Sequence, residues 1–194
     1  MIYVSIDIET TGLDPKVHDI VEFGAVIDNL SNPLPIDKLP TYQAIFGKEN
    51  GNYTATPYCM SLHKRIWDAL LKNEGNIMEI TDLMYSFSNF LSRNGLPFDE
   101  KKQRYDVTVA GKNFGSFDWP FLKEKIPAGK AWAGVHFRHR YIDPAILYFD
   151  PKVDTEMPNM ELCLGRAGIK EEVTHGAVPD ALQVVKLIRK HFLK

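Results

Sequence analysis

The chain opens on a run in which polar residues strictly alternate with isoleucine: Ser5-Ile6-Asp7-Ile8-Glu9. A period of two is the signature of a strand with one apolar face, so Ser5, Asp7 and Glu9 share the other face. Ile20–Asp28 supplies a second strand, and Thr41–Phe46 a third, with the Pro-rich stretch Asn32–Pro40 as a loop between them. Together they predict an antiparallel meander. Thr56-Pro57 places an N-cap before proline at the first helical position and predicts a helix through about Lys72. Ile80, Leu83, Met84, Phe87, Phe90 and Leu91 then fall on one helical stripe, closed by Asn94-Gly95.

Further on, Asp106–Ala110 reads as a strand running into Gly111-Lys112-Asn113, with a short helix from about Asp118 to Lys125. Arg140–Asp143 predicts a brief strand, Pro144–Tyr148 a helical turn, and Met160–Ala167 a helix ended by Gly168. Pro179–Phe192 carries Ala181, Val184, Val185, Ile188 and Phe192 on one face, with basic residues late in it. Three strands followed by alternating helices and strands predict an α/β fold, a mixed sheet flanked by helices, over a single domain spanning 1–194.

Composition narrows the function. The chain has 194 residues, 44% of them hydrophobic and 25% charged, which excludes disordered, collagen-like and coiled-coil classes. The balance of 23 Lys+Arg against 25 Asp+Glu, a net charge of −2, argues against holding nucleic acid mainly through a basic face. Cys59 and Cys163 form no metal-binding or disulfide pattern and are expected to be reduced thiols. With no leader peptide or membrane-spanning stretch visible, the expected location is cytoplasmic with no membrane contact, and the sequons at Asn29 and Asn52 are chance matches.

Asp7 and Glu9 place two carboxylates close together on one strand face, which is unfavourable unless one is protonated or a cation lies between them. Oxygen donors of this kind suit Mg²⁺ or Mn²⁺. Asp118, where a strand hands over to a helix, and Asp180, in the first turn of the last helix, are each ordinary helix-start acids when taken alone. His175, on a Gly-containing loop, is unremarkable by itself.

In combination they resemble a known family. Ser5-Ile6-Asp7-Ile8-Glu9-Thr10-Thr11-Gly12-Leu13 is similar to the first motif of the DEDD (DnaQ-like) superfamily of 3′→5′ exonucleases. The stretch Asn113 to Leu122, with Phe117-Asp118, is similar to the second. His175-Gly176-Ala177-Val178-Pro179-Asp180 matches the third in the H-x-A-x-x-D form of the DEDDh branch. The four-residue gap between Asn113 and Asp118 is the longer spacing of oligoribonuclease-like members.

The resemblance implies a ribonuclease H-like fold: a five-stranded mixed sheet with helices on both sides. It implies hydrolysis of a phosphodiester at the 3′ end of single-stranded DNA or RNA with two Mg²⁺ ions, for which Mn²⁺ can substitute, releasing nucleoside 5′-monophosphates. Asp7, Glu9, Asp118 and Asp180 are the implied metal ligands. His175 is the implied general base, imidazole being the side chain that takes a proton near neutral pH. Thr10 and Thr11 are expected to offer donors to the 3′-hydroxyl, and Leu13 to wedge against the last base. Asn113 is expected to fix the loop of the second motif and to touch phosphate, and Met60 and His63 to line the substrate groove.

Lys101-Lys102-Gln103-Arg104 and His136-Phe137-Arg138-His139-Arg140 are candidate tracks for the strand upstream, with Phe137 or Trp132 available for stacking, or else solvated loops. An enzyme restricted to short RNA, or a module that holds nucleic-acid ends without turnover, are the alternatives. DNA or RNA preference and oligomeric state have no readable signature. With no tethering segment after Lys194, a free-standing enzyme is expected over a polymerase subunit, although a polymerase partner stays open. Four acids committed to metal ions reconcile the −2 with a substrate bound only by its end.

Overall fold

The computed structural model describes residues 1–193. β1 (Ile2–Thr10), β2 (Ile20–Asn29) and β3 (Thr41–Phe46) form the expected antiparallel meander. Its register sets Asp7 opposite Gly24 and Glu9 opposite Glu22, and a bulge follows Glu9 where the chain turns away.

The helix expected over 57–72 is two: α1 (Pro57–Leu62) and α2 (Lys64–Lys72). Thr56 caps the first by accepting from the Cys59 N–H at 3.2 Å. At His63 the backbone leaves the helical region (φ −98°, ψ 30°), its carbonyl accepting from both Ile66 and Trp67. The break lets the imidazole turn into the protein, an outcome decided by tertiary packing and invisible to helix propensity.

β4 (Ile77–Met78) then pairs in parallel with β3, and after a 3₁₀ turn α3 (Leu83–Arg93) carries the expected apolar stripe. β5 (Phe98–Asp99), β6 (Arg104–Val107) and β7 (Val109–Ala110) follow, so the strand expected over 106–110 is divided. β7 pairs with β1, whereas β6 belongs to a second sheet with β5 and β8 (Val135–Phe137). α4 (Asp118–Lys125) lies between β7 and β8.

The strand expected at 140–143 is only a bridge, Ile142 against Ala110. Asp143 instead caps α5 (Pro144–Leu147), accepting from the Ala145 N–H at 2.8 Å, and proline at the next position stops any ladder. α6 (Met160–Ala167) and α7 (Ala177–Phe192) complete the chain, α7 starting two residues before the expected Pro179.

The main sheet runs β4-β3-β2-β1-β7, with β4 and β7 parallel to their neighbours and the meander antiparallel. One face packs Val4, Ile6, Ile8, Phe23, Ala25 and Ile27 against Leu83, Met84, Phe87 and Leu91 of α3. Phe137 is buried in this layer, which removes it as a stacking platform, and Trp132 packs against it. The other face sets Tyr3, Val26 and Ala110 against Ala181, Val184, Val185 and Ile188 of α7; Phe192, the last residue of the expected stripe, is exposed. Asp7 and Glu9 alternate with Ile6 and Ile8 and therefore look toward α7.

α7 comes very close at its start. A Cβ on Gly24 would lie 2.3 Å from the Ala177 carbonyl carbon and 2.4 Å from the Val178 nitrogen. Only glycine lets the helix rest on β2 there, directly across from Asp7. Among the described residues, no helix is long and apolar enough to cross a membrane.

Candidate active site

Three elements deliver carboxylates to one end of the sheet. β1 brings Asp7 and Glu9, and the first turn of α7 brings Asp180; one oxygen from each lies within 4.8 Å of the others. Asp118, from the first turn of α4, is buried and accepts the Ile8 N–H at 3.1 Å, which ties α4 to the strand between the two β1 acids. Asp180 accepts the Thr174 hydroxyl at 2.9 Å, so the loop before α7 orients it.

Burial and mutual repulsion set the electrostatics of the site. Burial, then the charges of Asp118, Glu9 and Asp180, push Asp7 well above the ordinary carboxylate range. Glu9 is pushed up to about 8 by burial and by Asp180 and Glu22, with Arg65 opposing. Burial raises Asp118 to about 8 as well, against the hydrogen bond from Ile8. An all-oxygen donor set whose members resist ionising together fits a hard divalent cation, which removes the repulsion that proteins otherwise avoid burying.

His175 stands on the loop just before α7, exposed and in the left-handed region (φ 51°). His63 is 3% exposed, with its Nε2 3.5 Å from Glu9. Burial, with His175 adding to it, holds its pKa below the usual imidazole range, against the pull of Glu22. Met60, one turn earlier, is 48% exposed, and Leu13 is 81% exposed at the tip of the turn after β1.

Thr11 behaves otherwise than expected. It is buried, its N–H donates to Asp19 and its hydroxyl to Thr54, and the Asp19 N–H donates back to that hydroxyl at 2.8 Å. Thr11 therefore braces the turn and has no donor left for a 3′-hydroxyl. Thr10 donates its hydroxyl to the Gly12 carbonyl at 2.7 Å. Asn113 takes a left-handed conformation (φ 62°), with its N–H on Asp143 and its side-chain oxygen accepting from Ser116, so it shapes the loop before α4.

The two basic clusters meet in the second sheet, at Asp106. This carboxylate lies 3.1 Å from Lys102, 2.9 Å from Arg104 and 2.9 Å from His136. Lys102 and Arg104, part of the positive charge that the sequence suggested for a phosphate track, are thus turned to an internal partner.

Sequence reasoning passed over Glu22, Gln43, Arg65 and Asp143. Glu22 is fully buried; it accepts from Arg65 at 2.7 Å, from the Ala177 N–H at 3.0 Å and from the Gln43 amide. A glutamate between Val21 and Phe23, within the apolar run Ile20–Ile27, was the available signal.

A five-stranded mixed sheet with helices on both faces, its acids gathered at one end of β1 between β2 and β7, defines a ribonuclease H-like fold of the DEDD type. Residues 4–188 match the RNase_T family model, described as Exonuclease. The chain belongs to this exonuclease family.

Among solved structures it is similar to cell-death related nuclease 4 (CRN-4), with 13% identity, 97% of this chain and 62% of that one covered, and a TM-score of 0.67. The S. pombe Pop2p structure in its Mg²⁺- and Mn²⁺-bound form matches at 17% identity, 98% and 84% coverage, and a TM-score of 0.61. E. coli exonuclease I in complex with a dT13 oligonucleotide matches at 14%, 98% and 41%, with a TM-score of 0.62. The chain thus spans 62% of the first protein and 41% of the last, and at these identities the likeness is one of fold. No curated protein sequence matches the chain.

Proposed function

We propose that residues 1–194 form one exonuclease domain of the DEDDh branch, which hydrolyses the phosphodiester at the 3′ end of single-stranded DNA or RNA with divalent metal ions. The observation that carries this reading is the convergence of Asp7, Glu9 and Asp180 within 4.8 Å, with Asp118 locked to the same strand. The binding of Mg²⁺ and Mn²⁺ by the Pop2p neighbour and of dT13 by the exonuclease I neighbour supports it.

Asp7, Glu9 and Asp180 would hold Mg²⁺ or Mn²⁺, and Asp118 a second ion. When bound, such ions activate a water and stabilise charge on the attacking and leaving oxygens. His175 accepts the proton of the attacking water on a ring nitrogen; its exposed position on the loop before α7 leaves it free to do so. The bond from the scissile phosphorus to the upstream 3′ oxygen breaks as the bond to the water oxygen forms; that 3′ oxygen takes a proton from solvent to become the new 3′-hydroxyl, and a nucleoside 5′-monophosphate leaves.

Leu13, standing out at the tip of the turn, packs against the terminal base, and Thr10 and Met60 flank it. His63 holds Glu9 in place from behind, and Asn113 shapes the approach to Asp118.

Incubation of the protein with end-labelled DNA and RNA from two to about thirty nucleotides, in Mg²⁺, tests the reading. A ladder shortening from the 3′ end on long strands is expected. Attack confined to the shortest RNAs would assign an oligoribonuclease-like activity, and tight binding without hydrolysis a module that only holds ends.

A further inference from the structure

We propose that Arg65 is a phosphate-binding residue for the nucleic-acid strand, fixed at the rim of the site by Glu22; this rests on the exonuclease reading above. Glu22 is fully buried and sits directly across the ladder from Glu9. A buried carboxylate needs a charge partner and hydrogen bonds, and Glu22 takes both from the elements around the site: Arg65 of α2, the first N–H of α7 and Gln43 of β3. It thereby clamps α7, which carries Asp180, to β2.

The geometry of Arg65 exceeds what that clamp requires. A guanidinium has five N–H donors, and among the described residues only an Nη2 bond to Glu22, at 2.7 Å, is made. The side chain is 52% exposed. A Cβ on Gly176 would lie 3.4 Å from Nη2, which puts the guanidinium against the backbone one residue from His175.

Arg189 shows what an arginine used only as a counter-ion looks like in this protein. It gives two nitrogens to Asp28 and a third to the Leu34 carbonyl, and its side chain is 13% exposed. Arg65 spends one nitrogen on its carboxylate and turns the rest of a planar donor fork to solvent beside Glu9 and His175. That fork matches the non-bridging oxygens of a phosphodiester, and it places a permanent positive charge where four acids would otherwise repel the strand.

The test measures the anisotropy of a labelled single-stranded thymidine oligonucleotide bound to the 194-residue chain in Ca²⁺, across a salt series. The proteins compared are wild type, Arg65→Gln, Arg65→Lys and the double variant Glu22→Gln/Arg65→Gln. Arg65→Gln is expected to weaken binding about tenfold and to flatten the slope of log affinity against log salt by about 0.7, the value for one phosphate contact on a single strand. Arg65→Lys is expected to keep the wild-type slope.

The double variant removes the orphaned buried charge. It is expected to recover thermal stability while keeping the flattened slope. Recovery of wild-type affinity and slope in the double variant would overturn the proposal, since Arg65 would then serve only to neutralise Glu22. A wild-type slope in Arg65→Gln overturns it too, as does failure of the wild-type protein to bind the oligonucleotide. Binding with the expected slopes but no hydrolysis by wild type in Mg²⁺ would sink the exonuclease reading and leave this one standing.

Discussion

The two ends of α7 cover acids on the same face of the same sheet, a single Asp28 at one end and a cluster at the other, and the two are treated in opposite ways. At the C-terminal end, Asp28 accepts from the Tyr3 hydroxyl at 2.7 Å and from Arg189 at 3.0 and 2.5 Å. Burial would raise Asp28, but these donors win and hold it below the usual carboxylate range. At the N-terminal end, Asp7, Glu9 and Asp180 face one another with Arg65 at the rim, and burial with mutual repulsion drives Asp7 and Glu9 upward.

The first is closed: every charge has its partner inside the protein. The second is open, its carboxylates facing one another in an arrangement that suits a divalent cation. Perturbed acids that lack internal compensation mark a working site, whereas compensated ones join elements together.

Exchanging charge for amide at each end should separate the two roles. Asp7→Asn is expected to cut hydrolysis of labelled oligonucleotides about a thousandfold or more, roughly 4 kcal/mol of barrier. The same change should leave the metal-free protein as stable as wild type or more so, because it removes repulsion; a fall in melting temperature would break the comparison.

Asp28→Asn should do the reverse. It leaves Arg189 without its carboxylate under α7 and is expected to cost about 3 kcal/mol in urea unfolding, with kcat/KM of the folded fraction close to wild type.

The pH dependence of stability sharpens the contrast. Glu9 and Asp118 titrate near 8 in the folded protein and in the ordinary carboxylate range when unfolded. Between those limits the folded state holds more protons, so stability without metal should fall as pH rises from about 4.5 to about 8, by about 2 kcal/mol or more. Asp28 has the opposite sign. Its depressed pKa contributes stability above the ordinary carboxylate range and loses it as pH falls through the folded value. Urea unfolding in EDTA from pH 3 to 8.5 should therefore show two limbs. Mg²⁺ should abolish the alkaline one, and Asp28→Asn should shrink the acid one, leaving the part that belongs to Asp154 beside Arg166.

The smallest effect belongs to the exposed tip. Leu13→Ala is expected to change stability by less than about 0.5 kcal/mol. In steady-state assays it should raise KM for oligonucleotides several-fold with kcat nearly unchanged.

The alternation in Ser5–Glu9 was enough to put Asp7 and Glu9 on one face, because a period of two is local. The stripe Ala181, Val184, Val185, Ile188 likewise announced the buried side of α7. His63 was not legible: helix propensity runs continuously from Pro57 to Lys72, and only packing makes the chain break there and turn the ring toward Glu9. The split of 104–110 between two sheets was hidden for the same reason, since both pieces have strand-like residues and differ only in their neighbours.

Sequence by itself determined the β1–β3 meander, the helical stripes of α3 and α7 and which residues share a face, since these follow from backbone periodicity within a few positions. It also supplied the acids at positions 7, 9, 118 and 180. Only the tertiary structure decided how those acids are charged, because that depends on burial and on partners more than a hundred residues away. It decided as well that Asp106 gathers the basic clusters, that Thr11 keeps its donors for the turn, and that Arg65 stays open where Arg189 is closed. Hydrogen bonds and Coulomb forces act through space, and a linear pattern cannot say which side chains the fold will bring within their reach.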